Sequence, residues 1–383
     1  MTGMPERPRI QVSSQYLRAG AGGGIGRCAR LTLKALEGEA RLRALAVEDD
    51  AFEAPDGVRG RGFGGGRAAF VAANTLGGLV SDWTLYDFAG TARAHAPLNL
   101  VGKPFALWAH GLEVWPGLLR GDYARAIRAA SAVFVNSRHT LARLSESLPG
   151  LSTVHLCPLG TEMDFGGAPP PREPREPMVL FVGRNDETVS EEGGEVFAKG
   201  QDALIALWPS VVAQAPDAVL CFVGGGPKLE RLRRLAAASP AAGSIKVLGS
   251  IPDAEVARLY RRARLFAMPS RLEGFGLVFA EAMSHGTPVL ASTDDASPEV
   301  NAEGETGFCV SRRDPALATQ RILSVLSDDV LFERLSRAAY ERWARLYCFS
   351  AFRERFLGAA SSAGLLGKTS PAPRPIARQV EAI

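Results

Sequence analysis

Apolar positions along the chain fall into two patterns that alternate: short β-branched runs, and longer stretches with helical spacing. RIQVSS (9–14) reads as a strand, and IGRCARLTLKALEG as a helix ending at Gly38. A strand lies within ARLRALAVEDD, and PFALWAH (104–110) is another. DYARAIRAA is amphipathic, and SAVFVNS (131–137) is a buried strand leading into the helix SRHTLARLSESL. STVHLCPLG closes this half. GGAPPPREPREP (166–177) has no hydrophobic period and is rich in Pro, Gly and charge, so it reads as a linker. The alternation then restarts. MVLFVGR (178–184), AVLCFVGGG (218–226), SIKVLGS, RLFAMPS and TPVLAS are strands, separated by the helices DALIALWPSVVAQA, PKLERLRRLAAA, DAEVARLYRRA and GLVFAEAMSHG. ALATQRILSVLSD and a long run from DVLFERL to GAASS end the fold as helices, and GKTSPAPRPIARQVEAI reads as a disordered tail.

Strands alternating with helices over short connections predict an α/β chain built from parallel βαβ units. Two such series on either side of a linker predict two Rossmann-like, doubly wound domains facing across a cleft, about 1–170 and 171–345. Chemistry is then expected in the loops at the carboxyl ends of the strands. A length of 383 residues suits two domains. A net charge of +3 argues against a nucleic-acid binder. The five cysteines (Cys28, Cys157, Cys221, Cys309, Cys348) contain no CxxC pair, which argues against a zinc site or a disulfide framework. The N-terminal MTGMPERPRI lacks the apolar core of a signal peptide. AAFVAANTLGGLV is broken by Asn74 and Thr75 and falls short of the ~20 apolar residues of a membrane span. A cytoplasmic setting is expected, with a peripheral membrane contact left open.

The loop after the strand RLFAMPS carries the clearest chemistry. In RLEGFGLVFAEAMSHGTPVL a helix is expected to begin near Gly276, with the amides of Gly274, Phe275, Gly276 and Leu277 expected to make an anion site. Glu273 precedes the helix and Glu281 lies along it, about 12 Å away at ~1.5 Å per residue. That is too long for an acid–base pair acting on one bond. It suits two carboxylates gripping hydroxyls at the ends of one extended ligand. The plainer alternative is a capping glutamate followed by a solvated one.

Over about residues 8–365 the chain resembles the retaining glycosyltransferases of the GT-B fold, family 4. In that family a Glu-x7-Glu pair lies in a segment much like SRLEGFGLVFAEAMSHGTPVLAS. The resemblance implies that Glu273 and the amides after it hold the donor sugar and diphosphate, and that Glu281 binds the ribose. FVGR (181–184) and AKGQDALI (198–205) look like the family's Gly-Arg and Lys-Gly pair. Gly183, Arg184 and Lys199 would then meet the diphosphate, the two cations steadying the charge that grows on the leaving oxygen. Their spacing is longer than in the family, filled by NDETVSEEGGEVF. FVGGGP (222–227) resembles a strand-end glycine turn, and VLGSIP (247–252) the region where backbone near Ile251 reads the base. VNSRHT (135–140) and CPLGTEMDF (157–165) are also similar, with Glu162 where an aspartate is more usual. His110, in AHGLE, stands where a family histidine lies near the reacting sugar; a capping or core histidine is its plainer reading. His95, His139 and His155 read as structural, and His285 as packing at the end of its helix.

What the resemblance implies is a transfer of a hexose from a nucleotide diphosphate sugar, UDP- or GDP-linked, to the hydroxyl of a saccharide or lipid-linked acceptor. Attack comes on the front face, with no protein nucleophile, no metal and no separate cofactor. Polysaccharide or glycolipid assembly is the family-level setting. The last helix, about 346–365, is expected to cross back onto the first domain, leaving 366–383 as the tail.

GAGGGIGRCAR (20–30) supports two readings. In the family a GGIGR-like loop reaches the donor phosphate and the acceptor, which implicates Gly24, Ile25 and Gly26, with Arg27 a further candidate. Alternatively Gly24-x-Gly26-x-x-Ala29 fits a relaxed dinucleotide fingerprint, with Glu48, Asp49 and Asp50 supplying a ribose-binding acid, as in an NAD-type oxidoreductase. Against that, RIQVSS ends roughly ten residues before Gly24, whereas the fingerprint wants glycine at the strand end. A sugar-nucleotide epimerase on the same fold, or a binding protein with a decayed site, would also carry sugar-nucleotide motifs of this kind.

Overall fold

The computed structural model describes residues 7–165, 173–186, 188–191 and 194–367. The linker expected at 166–172 and the tail at 368–383 lie outside the described residues. The chain divides into two compact units, one made of residues 7–162 and 349–367, the other of 163–348.

The first unit is built on seven strands: β1 (Arg9–Ser14), β2 (Arg41–Ala46), β3 (Arg59–Gly62), β4 (Trp83–Tyr86), β5 (Phe105–Ala109), β6 (Ala132–Val135) and β7 (Val154–Leu156). They form one parallel sheet in the order β3-β2-β1-β4-β5-β6-β7. FALWA and AVFV are buried at every position, as central strands covered on both faces must be. β3 and β4 are additions to what the sequence pattern predicts. β3 is RGRG, whose side chains carry no apolar alternation; it holds the sheet edge through backbone pairing with β2. AAFVAANTLGGLV lies in the helix Arg67–Val80, and its polar interruption is internal rather than solvated. Asn74 is buried, accepts from Gln11 and Ser13, and donates to Tyr86 Oη and the Ala94 carbonyl. Buried amides persist only when bonded in this way.

The long C-terminal helical run is two helices, Asp329–Leu346 and Phe349–Ser362, and the break falls where the chain leaves the second unit. The last helix packs inside the first unit. Phe352 and Phe356 are fully buried, and the Phe356 ring lies 5.9 Å from Trp108 and 5.5 Å from Phe134. Arg355 donates to the Pro158 carbonyl at 2.8 Å, and Arg353 pairs with Glu39 at 2.6 Å.

The second unit holds β8 (Glu176–Val182), β9 (Thr188–Glu191), β10 (Gly194–Phe197), β11 (Val219–Val223), β12 (Ile245–Gly249), β13 (Ala263–Met268), β14 (Val289–Ser292) and β15 (Gly307–Val310). Six form a parallel sheet in the order β12-β11-β8-β13-β14-β15. β9 and β10 form a separate antiparallel hairpin. β15 and the hairpin are again strands that the sequence pattern does not predict. In each sheet the strand order reverses at one place, between β1 and β4 in the first and between β8 and β13 in the second. Loops diverge there and leave a crevice at the carboxyl ends.

The strand-end loops of the second unit touch backbone to backbone. Gly224, just after β11, has φ +131°, and a Cβ there would stand 1.9 Å from the Gly183 carbonyl oxygen. Gly224→Ala is therefore expected to destabilise the protein by about 3 kcal/mol, combining overpacking with an unfavourable φ. The urea midpoint measures this, and an unchanged midpoint would show that the two loops are not in contact.

Candidate active site

At the β8/β13 switch point three residues named from the sequence come together. Gly183 follows β8, Lys199 lies in the turn after the hairpin, and Glu273 sits in the loop after β13. The Lys199 ammonium is 3.5 Å from Glu273 Oε2, with both side chains about three-quarters or more buried. Lys199 Cδ runs past Gly183, 3.4 Å from where a Cβ would stand. Gly200 makes this approach possible: its φ is +82°, and a Cβ would lie 2.4 Å from the Pro269 carbonyl oxygen. Only glycine seats the turn on the end of β13 at that distance.

Within the long spacing, Thr188–Glu191 and Gly194–Phe197 form the hairpin, which is anchored away from the ion pair. Glu195 pairs with Lys228 at 3.4 Å and Arg231 at 3.3 Å, and Phe197 is fully buried. Its end is fixed to the Glu273 loop by Arg271, whose amide donates to the Ala198 carbonyl and whose guanidinium donates to the Phe197 carbonyl, both at 2.7 Å. The extra residues are thus absorbed before Lys199. Arg184 is turned to a different partner: its Nε is 2.6 Å from Asp186 and its side chain is mostly exposed. Next to it, buried Asn185 donates to the Gly224 carbonyl and accepts from Gln201, tying the β8 and β11 loops together. Ile251 lies two residues past β12, the strand that pairs with β11.

The helix Leu277–Ser284 has Gly276 as its N-cap, so its first-turn amides begin at Leu277, with Gly274 and Phe275 in the loop between it and Glu273. Glu281 is half-buried and its Oε2 accepts from Tyr260 Oη at 3.3 Å. His285 ends the helix, stacked on Tyr260 with ring centroids 5.7 Å apart. Burial, helped by the charges of Arg261 and Arg175, lowers its pKa to about 4, so it packs as a neutral ring.

One residue that the sequence motifs do not single out holds this loop. Asp295 is buried and accepts the Glu273 amide on Oδ2 and the Ser297 amide on Oδ1, both at 2.9 Å. The Ala296 amide returns a bond to the Glu273 carbonyl at 3.1 Å. Burial pushes the Asp295 pKa up to about 6; its hydrogen bonds oppose this, and the charge of Glu273 adds to it. The signal for it in the sequence is Asp295 two residues before the Ser297 amide it caps, an Asx-turn spacing.

In the first unit, His110 follows β5 directly. Its Nε2–H donates to the Asp87 carbonyl at 2.7 Å, its amide donates to Glu113 Oε1 at 2.6 Å, and its carbonyl accepts from Asn136 at 2.9 Å. With Nε2 committed to a carbonyl, Nδ1 is the ring nitrogen left to face a ligand. Asp87, at the end of β4, is buried; desolvation raises its pKa although Gln15 and Ser14 bond its carboxylate at 2.6 and 2.8 Å. His95 is buried between Tyr86 Oη and the Lys103 carbonyl, each at 3.0 Å, as a structural histidine would be.

The glycine run starts the helix Gly23–Ala35, with Gly24 exposed and Ile25 half-buried in its first turn and Gly26 buried. This helix begins after an intervening loop, residues 15–22, rather than at the end of β1. Asp49 is nearly inaccessible and spends one carboxylate oxygen on the amides of Leu17 and Arg18, at 2.6 and 2.8 Å. The dinucleotide reading is therefore left without a strand-end glycine and without Asp49 as its ribose acid.

Residues 171–342, most of the second unit, match the family described as glycosyl transferases group 1. The second unit is a glycosyl transferases group 1 domain. The ion pair, the Glu273 loop and Glu281 all belong to this group 1 domain, whereas His110 and the glycine run lie outside the matched residues. The chain is 34% identical over 256 residues to the GDP-mannose-dependent alpha-(1-6)-phosphatidylinositol monomannoside mannosyltransferase of Mycolicibacterium smegmatis, covering 61% of this chain and 66% of that protein. Among solved structures it is similar to sucrose-phosphate synthase from Thermosynechococcus elongatus, with a TM-score of 0.77 at 20% identity over 93% of this chain and 99% of that one. It is also similar to Anabaena HepE in complex with UDP and glucose, with a TM-score of 0.75 at 17% identity over 93% of this chain and 100% of that one. At these identities the structures establish the fold: the group 1 domain and the first unit are the two parallel-sheet, Rossmann-like units of the GT-B architecture. No helix among the described residues is long and apolar enough to cross a membrane.

Proposed function

We propose that the protein is a retaining glycosyltransferase that moves a hexose from a nucleotide diphosphate sugar to an acceptor hydroxyl. The observation that carries this is the Lys199–Glu273 ion pair beside the open end of the helix Leu277–Ser284 in a group 1 domain. A leaving diphosphate needs fixed positive charge and amide donors where its own charge grows. Lys199 and the Gly274–Leu277 amides would supply these, joined by Arg184 once it leaves Asp186, with no call for a metal or separate cofactor. Glu273 would hold sugar hydroxyls and Glu281 the ribose, with Gly183 and Ile251 lining the nucleotide. From the first unit we assign Gly24, Ile25 and Gly26 to the phosphate end of the donor and His110 to the reacting sugar.

The relatives support a substrate class. A mannosyltransferase that uses GDP-mannose and a phosphatidylinositol glycolipid, and a structure holding UDP and glucose, support a UDP- or GDP-linked donor and a lipid-linked or saccharide acceptor. Glycolipid or polysaccharide assembly in the cytoplasm, with peripheral contact to a membrane carrying the acceptor, is part of the same reading.

A thermal-shift series with GDP, UDP, ADP, dTDP and NAD tests it. One nucleoside diphosphate is expected to raise the melting temperature, because a ligand of the folded state stabilises it. Glu281→Ala should weaken that nucleotide's affinity about tenfold or more, the worth of a charge-assisted hydrogen bond lost at ~1.4 kcal/mol per decade. A shift with NAD alone overturns the proposal, and an unchanged affinity in the variant removes Glu281 from the ribose.

A further inference from the structure

The first unit contains a cavity of about 440 Å³ at its own switch point, bounded by the ends of β1, β2 and β4 and by the start of the helix Arg67–Val80. This is within the ~300–1,000 Å³ of small-molecule sites. Most of its wall is apolar, made by Val47, Phe70, Val71, Phe88, Ala94 and Pro97. Val47 and Phe70 belong to a packed cluster with Leu45 and Phe63, so that wall rests on core.

The polar lining residues lie to one side: Gln15, Glu48 and Arg67 form an edge, and Thr91 and Arg93 face other groups. Thr91 lies near the Asp87 carboxylate and favours its charged form. Arg93 donates to the Gly90 carbonyl at 3.0 Å and pairs with Asp122 at 2.8 Å. Glu48 and the exposed Arg67 stand 4.0 Å apart. A pocket shaped for a sugar ring presents hydrogen-bond partners to its hydroxyls, since unmatched polar groups are costly to bury. This one offers mainly hydrocarbon, with its polar groups confined to the Gln15, Glu48 and Arg67 edge.

The cavity is also tied to His110. Asp87 accepts the His110 ring N–H on its carbonyl and the Gln15 amide on its carboxylate. Gln15 and Phe88, the residue after Asp87, both line the cavity. One buried residue thus fixes the candidate catalytic imidazole and two sides of the pocket.

We propose that this pocket binds the hydrocarbon part of an amphiphilic acceptor, an alkyl, acyl or isoprenyl segment, next to the residue that meets the reacting sugar. The proposal rests on the transferase reading above and goes beyond it by naming an acceptor of mixed polarity and the wall that selects it.

The test uses the full chain and a matched pair of probes, octyl β-glucoside below its critical micelle concentration and methyl β-glucoside, with binding followed by titration calorimetry. The octyl glycoside is expected to bind at least about tenfold more tightly, since each buried methylene adds to affinity. Ala94→Trp, which fills the cavity, should abolish the octyl advantage while leaving the nucleotide-induced melting shift intact. Should Ala94→Trp fail to fold, Val71→Thr, which sets a hydroxyl in the wall at nearly constant volume, should reduce the octyl advantage at least threefold. Equal binding of the two glycosides, or an octyl advantage untouched by the folded variants, overturns the proposal. Loss of the nucleotide shift in the wild-type protein would instead count against the transferase reading, so the two failures are distinguishable.

Discussion

Lys199→Ala is expected to lower kcat for sugar transfer by about 10²–10³-fold at saturating donor, the loss seen when one fixed stabiliser of developing charge is removed. The ammonium is held, not floating. Gly200 seats its turn on Pro269, Arg271 ties the Ala198 carbonyl to the Glu273 loop, and the Glu273 carboxylate lies 3.5 Å away. Such preorganisation costs nothing at the moment the glycosidic bond breaks, when negative charge moves onto the diphosphate. Because the charge grows mainly in the transition state, the loss should fall on kcat more than on the affinity for bare nucleotide. The melting temperature should change little, since a partly exposed ion pair contributes at most about 1 kcal/mol. Steady-state kinetics beside a melting curve separates the two. Activity within threefold of wild type would reduce Lys199 to a partner of Glu273.

Asp295→Ala is expected to lower turnover about 10–100-fold without touching any substrate contact directly. It strands the amides of Glu273 and Ser297, and each buried donor left unmatched costs about 1–3 kcal/mol. The Glu273 loop would shift, and a displacement of about 1 Å in a positioning element is worth up to ~10²-fold in rate. Asp295→Asn gives a second, independent readout. The Asp295 pKa rises from 3.8 to about 6 on folding. Between those values the folded protein binds more protons than the unfolded chain, so this group's contribution to stability is full below about pH 4 and is lost as pH rises through 6. At about 1.4 kcal/mol per pH unit the loss is about 3 kcal/mol. The asparagine variant should therefore show a smaller drop in urea midpoint from pH 4.5 to 7 than wild type. Identical pH dependence in the two proteins would show that Asp295 does not titrate in this range.

The legible parts of the fold were those where side chains announce their burial. FALWA, AVFV and VLCFV are apolar at consecutive positions and had to be covered strands. RGRG was invisible because an edge strand needs only backbone, and WTLY and GFCV because Thr84 interrupts one short apolar run and Gly307 opens the other. The hairpin β9–β10 was hidden for another reason: its sequence reads as polar loop, and what holds it is Glu195 on Lys228 and Arg231, a pairing across more than thirty residues. The site divided in the same way. Glu273, Glu281 and Lys199 stand in long segments that resemble a family. Asp295 and Asp87 act through backbone amides of residues distant in sequence, Glu273 and Gln15, and no local pattern marks such a bond.

The helix Phe349–Ser362 has a consequence for how the protein is made. Phe352 and Phe356 complete the packing around Trp108 and Phe134, yet they are synthesised more than two hundred residues later. On the ribosome the second unit has all its residues first, while the earlier-made sheet waits with an apolar face uncovered. A chain stopped near residue 348 would hold a complete second unit and an incomplete first one, so C-terminal nonsense truncations should be lost to proteolysis through their N-terminal half.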